Sequence, residues 1–257
     1  MLETLKLCLH ITRRNWMVYK KDFLANIAPT VAEPFLMIVS LGVGLGHFIA
    51  QVQGRSYLEY LAPGLGVSTA LFTAFFETSY GFYVRLTFEN IFKAMLTTPI
   101  GPREVVFGEF IWVALKGAVM FGIIAGILVC FGLMKNPWLW AFTPLLGALI
   151  ALPCGSLGLL ASSYVRNINQ FQTIYALLIS PLFFFSGTFF PVEQMPPALQ
   201  VVAKVLPLYH GVRLSQALFW AEGDFGSISG HILALLGFTL LFCSWASSRT
   251  KRLLRDG

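Results

Sequence analysis

Charge is scarce in this chain: only 12% of its 257 residues are Asp, Glu, Lys or Arg, about half the roughly 25% of a soluble globular domain. Hydrophobic residues make up 56% of it and the mean hydropathy is +0.72. A water-soluble fold cannot hide that much apolar surface, so an ordinary soluble domain is excluded. Cysteine is also sparse. Cys8, Cys130, Cys154 and Cys243 are scattered, three of them in apolar runs, and read as small hydrophobes rather than a disulfide or metal framework. There is no GxxxxGK[ST] loop, so the chain does not cradle ATP by that device. HExxH and GxSxG are missing too, and His10, His47, His210 and His231 lie too far apart in sequence to suggest a site. No catalytic or metal-ligating set is therefore expected. A cleavable leader is not expected either, because the first apolar run follows a charged stretch of about 22 residues and lacks a small-residue cleavage pattern.

Long apolar runs are what the chain does have. Six of them can each cover a hydrocarbon core of about 30 Å: Phe23–Phe48, Tyr60–Val84, Val105–Phe131, Trp138–Ser162, Phe171–Phe189 and Ile228–Trp245. The expected fold is an all-α integral membrane protein, one domain over residues 1–257, with both termini on one side. Basic residues decide which side, since Lys and Arg are retained in the cytoplasm. With both ends inside, thirteen Lys and Arg fall in cytoplasmic segments and four (Arg55, Lys135, Lys204, Arg213) outside, leaving Lys116 within a span. A multi-pass protein of a bacterial cytoplasmic membrane is expected, both termini cytoplasmic. This topology also accounts for the net charge of +6, so nucleic acid is not an expected partner.

Three connections carry further information. Residues 1–22 project as an amphipathic helix, with Leu5, Cys8, Leu9, Thr12, Trp16 and Tyr19 on one side and Lys6, His10, Arg13, Arg14 and Lys20 on another. Such a helix lies in the inner interface, either anchored beside anionic lipid or clasping a partner subunit. Residues 85–100 predict a short cytoplasmic helix, capped by Thr87, with Glu89 in its first turn, and ended by Pro99 and Pro102. Its Ile91, Phe92, Met95 and Leu96 form an apolar ridge, suited to a groove on another protein or to lipid. Residues 191–215, broken at Pro207 and Gly211, predict a pair of short helices that dips into the outer leaflet without crossing. Pro181 and Gly187 predict a bend in the fifth span.

Three ionisable residues are counted inside spans, Glu33, Glu77 and Lys116, each costing about 2.5 to 3.5 kcal/mol if unpaired. All three share roughly one depth, so Lys116 is expected to pair with Glu77 or Glu33. Structural bridging, polar substrate contact and proton coupling are the roles open to them. The aromatics of spans two and five, Phe72 and Phe76 with Phe184 and Phe185 among them, either pack or stack on sugar or prenyl groups along a substrate path.

Three stretches, YLAPGLGVSTALFTAFFETSYGFYVRL from Tyr60, ENIFKAMLTTPIGPREVVFGE from Glu89 and SPLFFFSGTFFPVEQMPPALQVVAKVLPLYHGVRL from Ser180, carry a resemblance over nearly the whole chain. It resembles permease subunits of the ABC-2 transporter type, in the NodJ group of lipo-oligosaccharide exporters. The resemblance implies a six-span permease that pairs with a second copy of itself and binds two NodI-like ATP-binding-cassette subunits. ATP and magnesium would be held by those partners, with no cofactor and no ATPase site in this chain. It further implies that Glu89–Thr98 is a coupling helix docking on the ATPase through Glu89, Ile91, Phe92, Met95 and Leu96, and that Pro191–Arg213 closes the exit. A lipid-linked or amphiphilic cargo is expected. The alternatives are a drug-exporting permease, an ion-coupled secondary carrier using Glu33, Glu77 and Lys116, and an intramembrane enzyme.

Overall fold

A computed structural model describes residues 2–49 and 51–256; Met1, Ala50 and Gly257, which the sequence assigns to the domain, lie outside the described residues. Apart from one antiparallel bridge between Val52 and Arg55, regular structure among the described residues is helical. Four helical stretches are long and apolar enough to cross a membrane: Phe23–Gly42, Pro102–Cys130, Pro137–Tyr164 and Phe225–Arg255. They contain α2 (Phe23–Met37), α6 (Pro102–Cys130), α7 (Thr143–Tyr164) and α12 (Phe225–Asp256).

The other two expected spans differ for physical reasons. The second is α3 (Tyr57–Phe76), a wide turn over Glu77–Gly81 and α4 (Phe82–Thr87). It is the most enclosed element, with Leu61, Ala62, Val67, Ala70 and Leu71 fully buried. A helix that touches protein on all sides tolerates the Gly, Ser and Thr that dilute its hydropathy. The fifth is the shorter apolar stretch Gln170–Phe184, comprising α8 (Gln170–Ile174), a wide turn over Tyr175–Ile179 and α9 (Ser180–Phe184). Pro181 has no N–H to donate to the preceding turn, and the ladder widens just before it. The helix stops at Phe184 rather than Phe189, and the chain turns at Gly187. Tyr60 holds that turn by donating its hydroxyl hydrogen to the Gly187 carbonyl at 2.8 Å.

The centre of the bundle is α3 between α6 and α7. Small residues bring the last two together: a Cβ on Gly147 would sit 2.6 Å from the Gly117 carbonyl oxygen and 2.7 Å from Phe121, so no larger side chain fits without moving a helix. At one end α1 (Leu2–Lys21) lies on α6. Cys8, Ile11, Thr12, Asn15 and Tyr19 form its buried stripe, whereas Leu5, Leu9 and Trp16 are exposed. Of the apolar face expected from sequence, half therefore points away from the protein, because Asn15, a polar residue, is claimed by a partner on α6. Ile11, Phe92, Val105 and Leu254 share one apolar cluster, so α1, the loop after α4 and the end of α12 meet at the same end of the bundle. At the opposite end, α10 (Pro197–Val205) and α11 (Pro207–Trp220) hinge at Leu206. α11 buries Leu208, Val212 and Phe219 in the bundle, and Ser215 donates to the Pro63 carbonyl of α3 at 2.8 Å.

Candidate functional site

The wide turn at Glu77–Gly81, which follows α3, begins with the carboxylate of Glu77. Such turns leave backbone groups out of the regular ladder and recur at functional sites. Thr78 braces this one, donating to the Ala74 carbonyl and lying 2.7 Å from that of Gly155 on α7. Gly158 makes room for it, since a Cβ there would come within 2.2 Å of the Thr78 hydroxyl oxygen.

Glu77 and Arg85 stand two turns apart on this element, and Glu109 and Lys116 two turns apart on α6, which runs the other way. The antiparallel arrangement matches opposite signs at both levels. Lys116 Nζ lies 2.6 Å from Glu77 Oε2. Arg85 grips Glu109 with both terminal nitrogens at 3.0 Å, and its Nη2 is also 3.3 Å from Glu77 Oε1. Asn15 of α1 donates to Glu109 Oε1 at 3.0 Å. Glu109 is 0% exposed. Two cations and two anions thus form a neutral chain in which each acceptor has a donor, the condition for burying charge at all.

The expectation for intramembrane charge is corrected in three ways. Glu109 is a fourth ionisable residue, within the span read as Val105–Phe131 and not counted there. Arg85, assigned to the loop, is an inner member of the network. Glu33 lies across the cleft and makes none of the ion pairs found among the described residues. The mirrored order of signs, minus then plus at 77 and 85 and again at 109 and 116, was the sequence signal that two neighbouring antiparallel helices would pair this way.

A cleft of about 370 Å³ separates α2 from α3 and is lined by Glu33, Met37, Leu65, Phe72, Phe76, Glu77 and Lys116. Its aromatic wall continues sideways: Phe76 stacks on Tyr175 at 5.7 Å and Phe72 meets Phe183 edge-on at 5.0 Å. Phe72 and Phe76 thus share a cavity with the charged residues. Phe184 and Phe185 do not; Phe184 packs instead beside Phe183 and Phe189. A second cavity, also about 370 Å³, lies on the α1 side of the Glu77–Lys116 pair and is lined by Arg14, Tyr19, Arg85, Glu89 and Trp112 among others. Burial, reinforced by the charge of Glu77, pushes the Tyr19 hydroxyl up to about 12, so it keeps its proton at physiological pH.

The loop after α4 holds a short helix, α5 (Ile91–Leu96). It begins later than expected. Thr87 closes α4 instead of capping α5, Glu89 lies in the turn before it, and Asn90 leads in with φ +52°, a left-handed conformation that Asn tolerates better than most residues. The apolar ridge faces inward. Phe92 is 0% exposed, stacks on Phe82 at 4.6 Å and lies 5.9 Å beneath the Arg85 guanidinium. Ile91, Met95 and Leu96 are half-buried, and Met95 and Leu96 pack on the cluster that holds Phe92. Phe88, 63% exposed, with Glu89, Lys93 and Ala94, faces outward. The ridge turns in because Phe82, Val105 and Leu254 offer it an apolar seat.

The histidines also need correction. His210 of α11 and His231 of α12 bring their Nδ1 atoms to 2.8 Å, which their separation of 21 positions concealed.

The buried ion chain thus runs from the cleft beside Glu77 and Lys116 to Phe92 on the short α4–α5 elbow. The family model described as "ABC-2 type transporter" matches residues 6–220. Nodulation protein J of Rhizobium leguminosarum bv. trifolii is 32% identical over 95% of this chain and 93% of its own length. The protein of that name from Bradyrhizobium diazoefficiens is 32% identical over the same shares. Inner membrane transport permease YadH of Escherichia coli is 22% identical over 75% of this chain and 74% of its own. By the extent of these matches, the chain belongs to the ABC-2 type transporter family of membrane proteins.

Proposed function

We propose that this chain is the permease subunit of an exporter that moves a lipid-linked or amphiphilic molecule, of the lipo-oligosaccharide kind, outward across a bacterial cytoplasmic membrane. Family membership already makes it a membrane transport subunit of a kind that works with ATP-binding-cassette partners. In the finer reading it has six spans, cytoplasmic termini and a second copy of itself, and it takes its energy from two NodI-like subunits. The thirteen-to-four bias of basic residues supports the orientation. The shared cluster of α1, α5 and the end of α12 agrees with an even number of crossings.

One observation carries the proposal. Arg85 touches both ends of the machinery: its guanidinium lies over Phe92 of the elbow and, through Glu77, adjoins Lys116 in the cleft. A push on α5 would reach the cleft through Phe92, Phe82 and Arg85. The exposed side of α5, with Phe88, Glu89 and Lys93, would be the surface the ATPase presses, and Phe92, Met95 and Leu96 would be the anchor that transmits the load. Two packings of the helices around the cleft would then alternate as rigid bodies.

The experiment is co-purification. A Phe88→Asp variant inserts normally but loses its ATP-binding-cassette subunit; an unchanged yield of that subunit would remove α5 from the contact.

A further inference from the structure

The two cavities on either side of the Glu77–Lys116 pair are not alike. The α1-side cavity has more hydrogen-bond donors than acceptors can serve. Tyr19 is 7% exposed and its hydroxyl has no hydrogen-bond partner, whereas Trp112 Nε1 faces the Glu77 carboxylate. A buried donor without an acceptor costs about 1 to 3 kcal/mol, so a site that keeps one beside Arg14 and Lys116 is incomplete until something accepts from it. Arg85 and Lys116 are matched by Glu109 and Glu77, but Arg14 donates only to the amide oxygen of Asn15. The remaining carboxylate of this cavity, Glu89, is exposed to solvent. The cleft beyond the ion pair offers Met37, Leu65, Phe72 and Phe76, with Glu33 and the hydroxyls of Thr30, Ser68, Thr69 and Thr73 also lining it. Glu77, Tyr80, Gly81 and Lys116 line both spaces, so the two are contiguous, cationic donors standing at the α1 end and an aliphatic and aromatic wall beyond.

We propose that the two cavities form one site for an amphiphile with an oxyanion headgroup: its phosphate or carboxylate sits among Arg14, Tyr19 and Lys116, and its tail lies along Leu65, Phe72 and Phe76. The inference rests on the reading of the chain as an amphiphile permease and adds the chemistry of the headgroup. The arrangement repeats the order of a lipid in a leaflet, polar at the interface and apolar below it, so a molecule enters sideways without turning over. Lys116 has one proton engaged by Glu77 and two left for the ligand.

The test is retention of defined lipids. The full-length chain in nanodiscs is equilibrated with phosphatidic acid and diacylglycerol of identical chains, and the lipid that stays bound is counted by native mass spectrometry. Phosphatidic acid is expected to be retained at least about tenfold over diacylglycerol, and Tyr19→Phe, which keeps the ring beside Lys116, should lose about tenfold of that preference. Arg14→Gln should do the same. Inorganic phosphate at equal concentration should not displace the lipid. Equal retention of the two lipids would overturn the oxyanion, a preference untouched by both variants would overturn the location, and displacement by inorganic phosphate would overturn the amphiphile. The measurement uses no ATPase, so failure of ATP-driven export leaves its outcome intact, and its own failure leaves ATP-driven export standing.

Discussion

Replacing Glu109 by Gln should do more damage than its single atom suggests. The carboxylate is wholly buried and accepts three hydrogen bonds at 3.0 Å, two from Arg85 and one from Asn15. Breaking a buried pair by removing one partner costs about 3 to 5 kcal/mol, because the other charge stays buried without compensation. Gln keeps one accepting oxygen, and Arg85 keeps Glu77 at 3.3 Å, so the lower end, about 3 kcal/mol, is expected. At 1.4 kcal/mol per tenfold, that is about a hundredfold in the folding equilibrium. Glu222→Gln is the control. Glu222 is half-exposed and pairs with Arg55 at 2.5 Å and Lys135 at 3.8 Å, contacts worth about 1 kcal/mol at most. Reversible unfolding in mixed micelles, followed by tryptophan fluorescence, gives both numbers. The Arg85→Gln, Glu109→Gln double variant should lie much nearer to either single variant than to their sum. Equal effects of Glu109→Gln and Glu222→Gln, or strict additivity in the double, would refute the ion chain.

Neutralising Glu77 and Lys116 together (Glu77→Gln, Lys116→Met) should be milder than Glu77→Gln alone, as read by the yield of folded protein; a double variant worse than both singles would contradict the pairing. Exchanging the two charges is a poorer test, since Lys at position 77 would face Arg85. Phe92→Ala should destabilise by about 3 to 5 kcal/mol as a core cavity, measured in the same micelles, whereas Phe88→Asp should leave stability unchanged. The reverse order would place the ridge outward. Gly158→Val should disrupt the wide turn by driving a methyl into Thr78, lowering the melting temperature of the purified chain; a wild-type value would show that α7 yields there.

The helical bundle was legible because apolar runs of this length have few other solutions in a chain so poor in charge. The bend before Pro181 was legible too, since a missing N–H acts locally. What sequence conceals is which side of a helix finds a partner. On α1 the apolar stripe was traced through Leu5, Cys8, Leu9, Thr12, Trp16 and Tyr19; Cys8, Thr12 and Tyr19 are buried, but Leu5, Leu9 and Trp16 are exposed because Asn15 turns inward to Glu109. On α5 the ridge through Phe92 was read as a docking surface, and it docks on this chain's own Phe82. Glu109 sits about two turns inside α6, within the apolar run Val105–Phe131, so its charge was legible in the sequence and went uncounted. His210 and His231 meet only because α11 folds back on α12. The other misses are tertiary contacts overriding a local pattern, and the ion chain is where they accumulate.

The central claim is that the bundle moves an amphiphile with energy delivered through α5 by an ATP-burning partner. Uptake of a fluorescent lipo-oligosaccharide into inverted membrane vesicles measures this directly. Uptake should require ATP and the ATP-binding-cassette subunit, survive collapse of the proton and sodium gradients, and vanish with Phe88→Asp. Uptake that persists without ATP and follows an ion gradient would contradict it.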